Sequence, residues 1–316
     1  MRLNSENTHE EMDCPTYHIP VMLDECMEGL NIKPDGIYLD LTYGGGGHSK
    51  EILKRLGEKG HLYGFDQDND ARDGAIVDER FTFVHSNFRF VGNWMQYYNI
   101  DGVDGILADL GVSSHHLDDG ERGFSFRYDA ALDMRMNRKS SLTAHNIVME
   151  YPEERLADIL YLYGELKQSR RISAEIVRRR GKGDIRTTGQ LSDIVSPLLG
   201  REREKKDLAR VFQALRIEVN GEMKALGEML EAATSILNKR GRLVIMTYHS
   251  LEDRIVKNYI RGTGQDKDDN SVESLIYGNH ASILKDIGKG AIIPSEEEIN
   301  INPRSRSAKL RIAEKR

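Results

Sequence analysis

The chain has 316 residues, 39% hydrophobic and 30% charged, with a formal net charge of −6. That balance suits a globular protein with one large core or two domains, and it excludes a uniformly basic nucleic-acid binder, although a total hides local patches. Two cysteines, Cys14 and Cys26, exclude a disulfide framework and a clustered cysteine metal site.

Residues 1–16 are polar and are expected to form a disordered tail. They lack a basic-then-apolar signal pattern, and no apolar run approaches the ~20 residues that span a bilayer. A cytoplasmic location without membrane contact is the expectation. His18-Ile-Pro-Val-Met-Leu leads into a short helix over Asp24–Leu30. Ile37–Leu41 is an apolar run with an acid near its end, which reads as a buried strand. Four glycines follow, Gly44 to Gly47, and Ser49 reads as the N-cap of a helix over Lys50–Leu56. Strand, glycine loop and helix make the first turn of a nucleotide-binding α/β unit. Without Cβ atoms, the loop lets a ligand approach the backbone and the helix N-terminus.

The pattern repeats. Leu62–Phe65 is a second strand ending at Asp66, Phe81–Val84 a third followed by Phe88, and Val103–Leu110 a fourth containing Asp109. Asp70–Asp78 and Phe90–Tyr98 can hold helices between them. Alternation of this kind predicts a parallel sheet covered on both faces, with ligands at the carboxyl ends of the strands. Asp40, the glycines, Asp66, Phe88 and Asp109 are therefore the candidate site residues.

After Gly111 the rhythm stops. Val112–Met136 is a long aperiodic stretch of a length that is often functional. Helical patterns follow over Thr143–Glu150, Pro152–Tyr163, Glu165–Arg180, Gly189–Leu199 and Lys205–Val219. Pro152 suits a first helical position, and Gly181 and Gly200 suit stops. The expected organisation is an all-helical insertion, residues 113–216, within a sheet domain of 17–112 and 217–316. From Glu165 to Arg216 there are fourteen Lys or Arg against seven Asp or Glu. Arg178, Arg179 and Arg180 lie in its first cluster. Such a lobe fits a polyanion partner, and equally a solvated helix face with scattered pairs.

The sheet domain resumes with a helix over Glu222–Leu237 and a strand over Gly241–Thr247. Tyr248-His-Ser-Leu-Glu-Asp-Arg254 follows, with Ser250 as the expected cap of a helix over Leu251–Ile260 and Asp253 and Arg254 as a candidate local pair. Gly262–His280 reads as a surface loop and Ala308–Ala313 as a closing strand.

A dinucleotide loop wants G-x-G-x-x-G/A, and its third position here is Ser49. Asp66 stands where a carboxylate would grip ribose hydroxyls, which suits NAD and S-adenosylmethionine alike. Asp40, four residues before Gly44, gives the acid-x-x-x-Gly-x-Gly pattern frequent in methyltransferases. A dehydrogenase would ignore RNA and leave the basic insert without a purpose. A non-enzymatic assembly factor would need none of the strand-end residues.

Eight blocks then become specific together: His18-Ile-Pro-Val-Met-Leu, Asp40-Leu-Thr-Tyr-Gly-Gly-Gly-Gly-His48, Asp109-Leu-Gly-Val-Ser-Ser114, Leu117 to Phe126, Leu132-Asp-Met-Arg-Met136, Phe212 to Asn220, Tyr248 to Val256, and Asn302 to Ser307. In this order they closely resemble the RsmH (MraW) family of bacterial 16S rRNA cytosine-N4 methyltransferases. The resemblance implies an α/β fold, a class I (Rossmann-like) methyltransferase sheet with an inserted all-helical domain. It implies S-adenosyl-L-methionine as cofactor, and as partner the 16S rRNA of the small ribosomal subunit, with methyl delivered to N4 of a decoding-centre cytidine. Carried over residue by residue, cofactor contacts fall on Gly46, Gly47, His48, Asp66, Phe88, Asp109 and His116. His116 is preceded by His115, where many relatives have proline. The oligomeric state stays open between monomer and homodimer.

The cytosine amine is a poor nucleophile, so an acceptor for its proton would help. Asp109 and Ser113 are the expected candidates, with Asp109 alternatively a cofactor ligand only. His249 is a further candidate at the flipped cytidine, and Arg304 and Arg306 are candidates for phosphate contacts.

Overall fold

Alternate residues of each central strand fill two different cores, as a sheet covered on both faces requires. The computed structural model describes residues 20–111, 120–262 and 282–316. The expected tail over 1–16, and parts of the long stretch after Gly111 and of the loop after Gly262, lie outside the described residues.

The first half runs α1 (Leu23–Leu30), β1 (Ile37–Asp40), α2 (Gly47–Arg55), β2 (His61–Asp66), α3 (Asn69–Asp73), β3 (Phe81–His85), α4 (Val91–Tyr97) and β4 (Val103–Asp109). The helices α5 (Ala144–Glu150), α6 (Glu153–Leu162), α7 (Ser169–Arg180), α8 (Thr188–Val195) and α9 (Glu204–Asn220) come next. The chain ends with α10 (Glu222–Ile236), β5 (Leu237–Thr247), α11 (Ser250–Arg261), β6 (Leu284–Asp286), α12 (Glu296–Ile301) and β7 (Lys309–Lys315).

The sheet order is β3-β2-β1-β4-β5-β7-β6. The pairs from β3 through to β5 are parallel, and β7 runs antiparallel between β5 and β6. This is the α/β sheet, mostly parallel, that the alternation of strands and helices predicts, with the Rossmann-like order that the resemblance implies. Successive strands leave β1 in opposite directions, so the crevice of the sheet opens at the carboxyl ends of β1 and β4, which are Asp40 and Asp109.

Tyr38, Leu62, Leu107, Val244 and Met246 face one core, with α1 and α2 over them. Leu39, Tyr63, Ile106, Ala108 and Ile245 face the other. That second core continues without a break into Ile147, Leu160, Ile176, Leu191 and Leu215 of the intervening helices. The helices therefore share hydrophobic burial with the sheet.

Several boundaries differ from expectation for identifiable reasons. Ser49 is not an N-cap: α2 begins at Gly47, with Gly46 at the cap and φ +72°. The helix expected to Asp78 ends at Asp73, and Gly74 closes it. Pro152 precedes the first helical residue of α6 rather than occupying it. The helix expected from Glu165 starts at Ser169, because Glu165 itself has φ +50°. Gly200 stops nothing, since α8 ends at Val195 before a 3-10 turn over Ser196–Leu198. The α9 helix runs past residue 216 to Asn220, and Gly221 at φ +59° turns the chain into α10. His249, not Ser250, caps α11.

Candidate active site

Two acids brace the glycine loop from neighbouring strands. Asp40, 1% exposed at the end of β1, accepts from Ser49 Oγ at 2.6 Å and from the Thr42 amide at 3.2 Å. Burial raises the Asp40 carboxyl above its ordinary range. At the end of β2, Asp66 Oδ2 accepts from the Gly44 amide at 2.8 Å and Oδ1 from the Asp68 amide at 2.9 Å.

The glycines play different parts. A Cβ on Gly46 would lie 2.6 Å from the Tyr43 hydroxyl oxygen, and one on Gly47 would lie 2.5 Å from Pro20 Cγ. A Cβ on Gly45 would meet nothing within 4 Å. Gly46 and Gly47 are thus required by packing, and Gly45 borders open space. No side chain caps α2, which leaves its first-turn amides available to an anionic group. His48 is buried inside that first turn, with Nε2 3.0 Å from the Val21 carbonyl oxygen. Phe88 opens a 3-10 turn after β3 and packs half-buried against the larger core.

At the end of β4, the Asp109 amide donates to Thr42 Oγ1 at 2.7 Å. Asp109 Oδ1 is buried and without a hydrogen-bond partner. The Tyr248 ring stands against Gly111, where a Cβ would come within 2.8 Å of Cε2. Burial pushes the Asp109 carboxyl up, opposed by His48 and Tyr248. Burial and the neighbouring Asp109 charge push the Tyr248 phenol up in turn. Ser113 and His116 lie outside the described residues.

Beyond β5, His249 Nδ1 accepts from the Glu252 amide at 3.4 Å. Its buried Nε2 lies 3.1 Å from Glu252 Oε1 without hydrogen-bond alignment. His249 is therefore a helix cap facing Glu252, not a free ring. Glu252 Oε2 accepts from the Tyr248 amide at 3.1 Å. Arg216 forks onto Glu222, with Nε and Nη2 each 2.9 Å from a carboxylate oxygen. Glu222, His249 and Glu252 bring potential ligand atoms within 4.8 Å of one another. Both oxygens of Glu222 already accept from Arg216, so the group is a charge network rather than a vacant cation site.

The basic lobe is differently arranged from its sequence clusters. Arg178 Nε and Arg179 Nε bind Glu175 at 2.7 and 3.0 Å. Arg180 Nη1 donates to the carbonyls of Val148 and Tyr151 at 2.9 and 2.8 Å, tying α7 to the α5–α6 junction. These three do not form a free cationic face. Lys167, Arg170, Arg171, Arg203, Lys205 and Lys206 are exposed and form no ion pair among the described residues. Gln168 Nε2 reaches Asp207 Oδ2 at 3.4 Å, which sets the start of α7 beside the start of α9. Arg304 and Arg306 stand exposed on a 3-10 turn over Pro303–Ser307 that is anchored by buried Ser305. Asp253 and Arg254 do not pair. Asp253 takes Arg311 at 2.7 Å and Lys309 at 3.0 Å, and Arg254 reaches Glu165.

The family model described as the MraW methylase family matches residues 15–316. The chain belongs to the MraW methylase family. Its relatives include proteins named Ribosomal RNA small subunit methyltransferase H. The one from Bacteroides thetaiotaomicron is 59% identical over 306 residues, covering 97% of this chain and 100% of the relative. The one from Phocaeicola vulgatus is 58% identical over 300 residues, covering 95% and 98%. A solved rRNA methylase of Streptococcus thermophilus aligns at a TM-score of 0.38 and 12% identity over 93% of both chains. MraW methylases use S-adenosylmethionine as methyl donor. The residues here fit that group: an acid at the end of β2, open space over Gly45, an uncapped α2, and an orphaned buried oxygen on Asp109.

Sequence reasoning missed Thr42, Arg216, Glu222, Glu252 and Glu165. Thr42, Arg216 and Glu252 stand within the conspicuous Asp40–His48, Phe212–Asn220 and Tyr248–Val256 blocks. Only the fold shows which members of a block meet.

Proposed function

We propose that this chain transfers a methyl group from S-adenosylmethionine to small-subunit ribosomal RNA, at N4 of a decoding-centre cytidine in 16S rRNA. The observation that carries the reading is the orphaned Asp109 Oδ1 at the sheet crevice, in a chain that belongs to the MraW methylases. The names of the relatives supply the RNA, and the sequence resemblance supplies the base and atom.

When bound, S-adenosylmethionine supplies a methyl group activated by positively charged sulfur. Asp66 holds the ribose hydroxyls, with the Gly44 amide keeping its carboxylate in place. The uncapped first turn of α2 would hold the carboxylate end, and Phe88 would pack on the adenine side. Asp109 Oδ1 would accept a hydrogen bond from the cytosine amine, concentrating the nitrogen lone pair for attack, and would take up the proton that the amine gives up on methylation. Most of the acceleration comes from alignment of the two reactants. Ser113 and His116 belong to the same proposal by resemblance. His249 acts by fixing the β5–α11 loop beside the base.

The RNA is gripped through phosphates by Lys167, Arg170, Arg171, Arg203, Lys205 and Lys206, with Arg304 and Arg306 as a second contact. The Arg178–Arg180 run supports the lobe more than it contacts RNA. Among the described residues no helix is long and apolar enough to cross a membrane. Incubating the protein with labelled S-adenosylmethionine and either intact small subunits or free rRNA tests the reading, and no transfer to either would refute it.

A further inference from the structure

The geometry points to Glu165 as a positioning residue that couples RNA engagement by the helical insertion to the loop beyond β5. This rests on the function proposed above, and Glu165 lies outside all eight of the specific sequence blocks. Glu165 lies in the turn between α6 and α7 and has a left-handed backbone, φ +50°, without being glycine. Such a conformation persists where the surroundings hold it. The surroundings here are visible. A Cβ on the preceding Gly164 would lie 2.7 Å from the Leu160 carbonyl oxygen and 3.0 Å from that of Arg210, so the turn is pressed onto α9. Gln213 Nε2 donates to the Tyr163 carbonyl at 2.9 Å from the same helix.

From this fixed turn the Glu165 carboxylate crosses to the sheet domain. Oε2 accepts from Ser250 Oγ at 2.6 Å, and Oε1 accepts from Arg254 Nη2. Both partners are in the first turns of α11, adjacent to the cap His249 and to Tyr248, which faces Asp109. The exposed cations Lys167, Arg170 and Arg171 follow Glu165 closely in the chain, at the start of α7. One carboxylate thus links the segment that meets phosphate to the segment that meets the reacting base. Glu165 touches neither reactant. Its effect is to set where Tyr248 and His249 stand when the insertion has closed on RNA.

Steady-state methylation of small ribosomal subunits by the wild type and by Glu165→Ala, Arg254→Ala, Ser250→Ala and the Glu165→Ala/Arg254→Ala double variant tests the assignment. Glu165→Ala and Arg254→Ala are expected to lower kcat about tenfold, with KM for S-adenosylmethionine changed less than about twofold. The double variant is expected to be no slower than either single one, as for two halves of one interaction. Ser250→Ala, which removes only a hydroxyl, is expected to lower kcat about threefold and keeps the test open if the larger changes disturb folding. A kcat within twofold of wild type in all variants, or single effects that multiply in the double, would overturn the assignment. A wild type that methylates no small subunit would instead refute the underlying function, so the two failures are distinguishable.

Discussion

Ser49 Oγ donates to Asp40 Oδ2 at 2.6 Å, and this bond joins the first turn of α2 to the end of β1 beneath the glycine loop. Both groups are almost wholly buried, at 0% and 1% exposure. The residue that looks like a helix cap in the sequence is therefore a brace, and it also fills the position at which a dinucleotide loop would carry glycine. The departure from the dinucleotide pattern and the support of the loop are the same feature.

Ser49→Ala leaves a buried carboxylate short of a donor. We expect it to cost about 1–3 kcal/mol of stability. A thermal or denaturant melt checks this, together with a weakened donor affinity by calorimetry.

The glycines separate binding from packing. Gly45→Ala places a methyl group in open space at an ordinary backbone angle. It should leave the melting temperature unchanged and weaken S-adenosylmethionine binding about tenfold or more, because only a bound ligand would occupy that space. Gly46→Ala forces a left-handed alanine against the Tyr43 hydroxyl and should cost about 1–2 kcal/mol in stability as well.

Asp253 gives a pH signature. Burial raises its carboxyl, but Arg311 and Lys309 outweigh burial and hold it below the usual range. A lowered carboxyl pKa in the folded chain stabilises above the unfolded value and loses that contribution as pH falls through the folded value. Arg311 is only 6% exposed, so Asp253→Ala should cost about 3 kcal/mol near neutral pH by stranding a buried cation. The difference in unfolding free energy between wild type and variant should shrink steadily below about pH 4, where the unfolded aspartate begins to protonate.

The corner of Lys167, Arg170, Arg171, Lys205 and Lys206 predicts a salt signature. Replacing Arg170 and Arg171 by alanine should weaken binding to small subunits and flatten the dependence of log affinity on log salt by about 0.7–0.9 per lost phosphate contact. Replacing Arg178 and Arg179, which are engaged by Glu175, should flatten it less. Filter binding across a salt series measures both.

Most of the sheet is legible because its strands are short apolar runs, and three of them, β1, β2 and β4, close on the acids Asp40, Asp66 and Asp109. The glycine loop and Asp66 were legible for the same reason, by spacing. The sequence pattern shows only the later part of β5, because its first four residues, Leu237 to Arg240, carry polar side chains and a register shift against β4, with Arg240 at φ +65°. For Arg178 and Arg179 the sequence leaves phosphate contact and helix-face pairing both open, and both pair with Glu175 one helical turn earlier. The carbonyl partners of Arg180, Val148 and Tyr151, lie 32 and 29 residues away in the chain and show only in the fold. Glu165 and Ser250, 85 residues apart, meet only through the packing of the helices between β4 and β5 against the start of α11.

The central claim is methyl transfer to a cytidine amine in small-subunit RNA. The most direct measurement is nuclease digestion and mass spectrometry of small subunits after incubation with isotopically labelled S-adenosylmethionine, for the wild type and for Asp109→Asn. The account predicts label on N4 of a single decoding-centre cytidine with the wild type, and a loss of kcat of about a hundredfold with Asp109→Asn at saturating donor. Label on a different base or on carbon 5, or full turnover by Asp109→Asn, would contradict it.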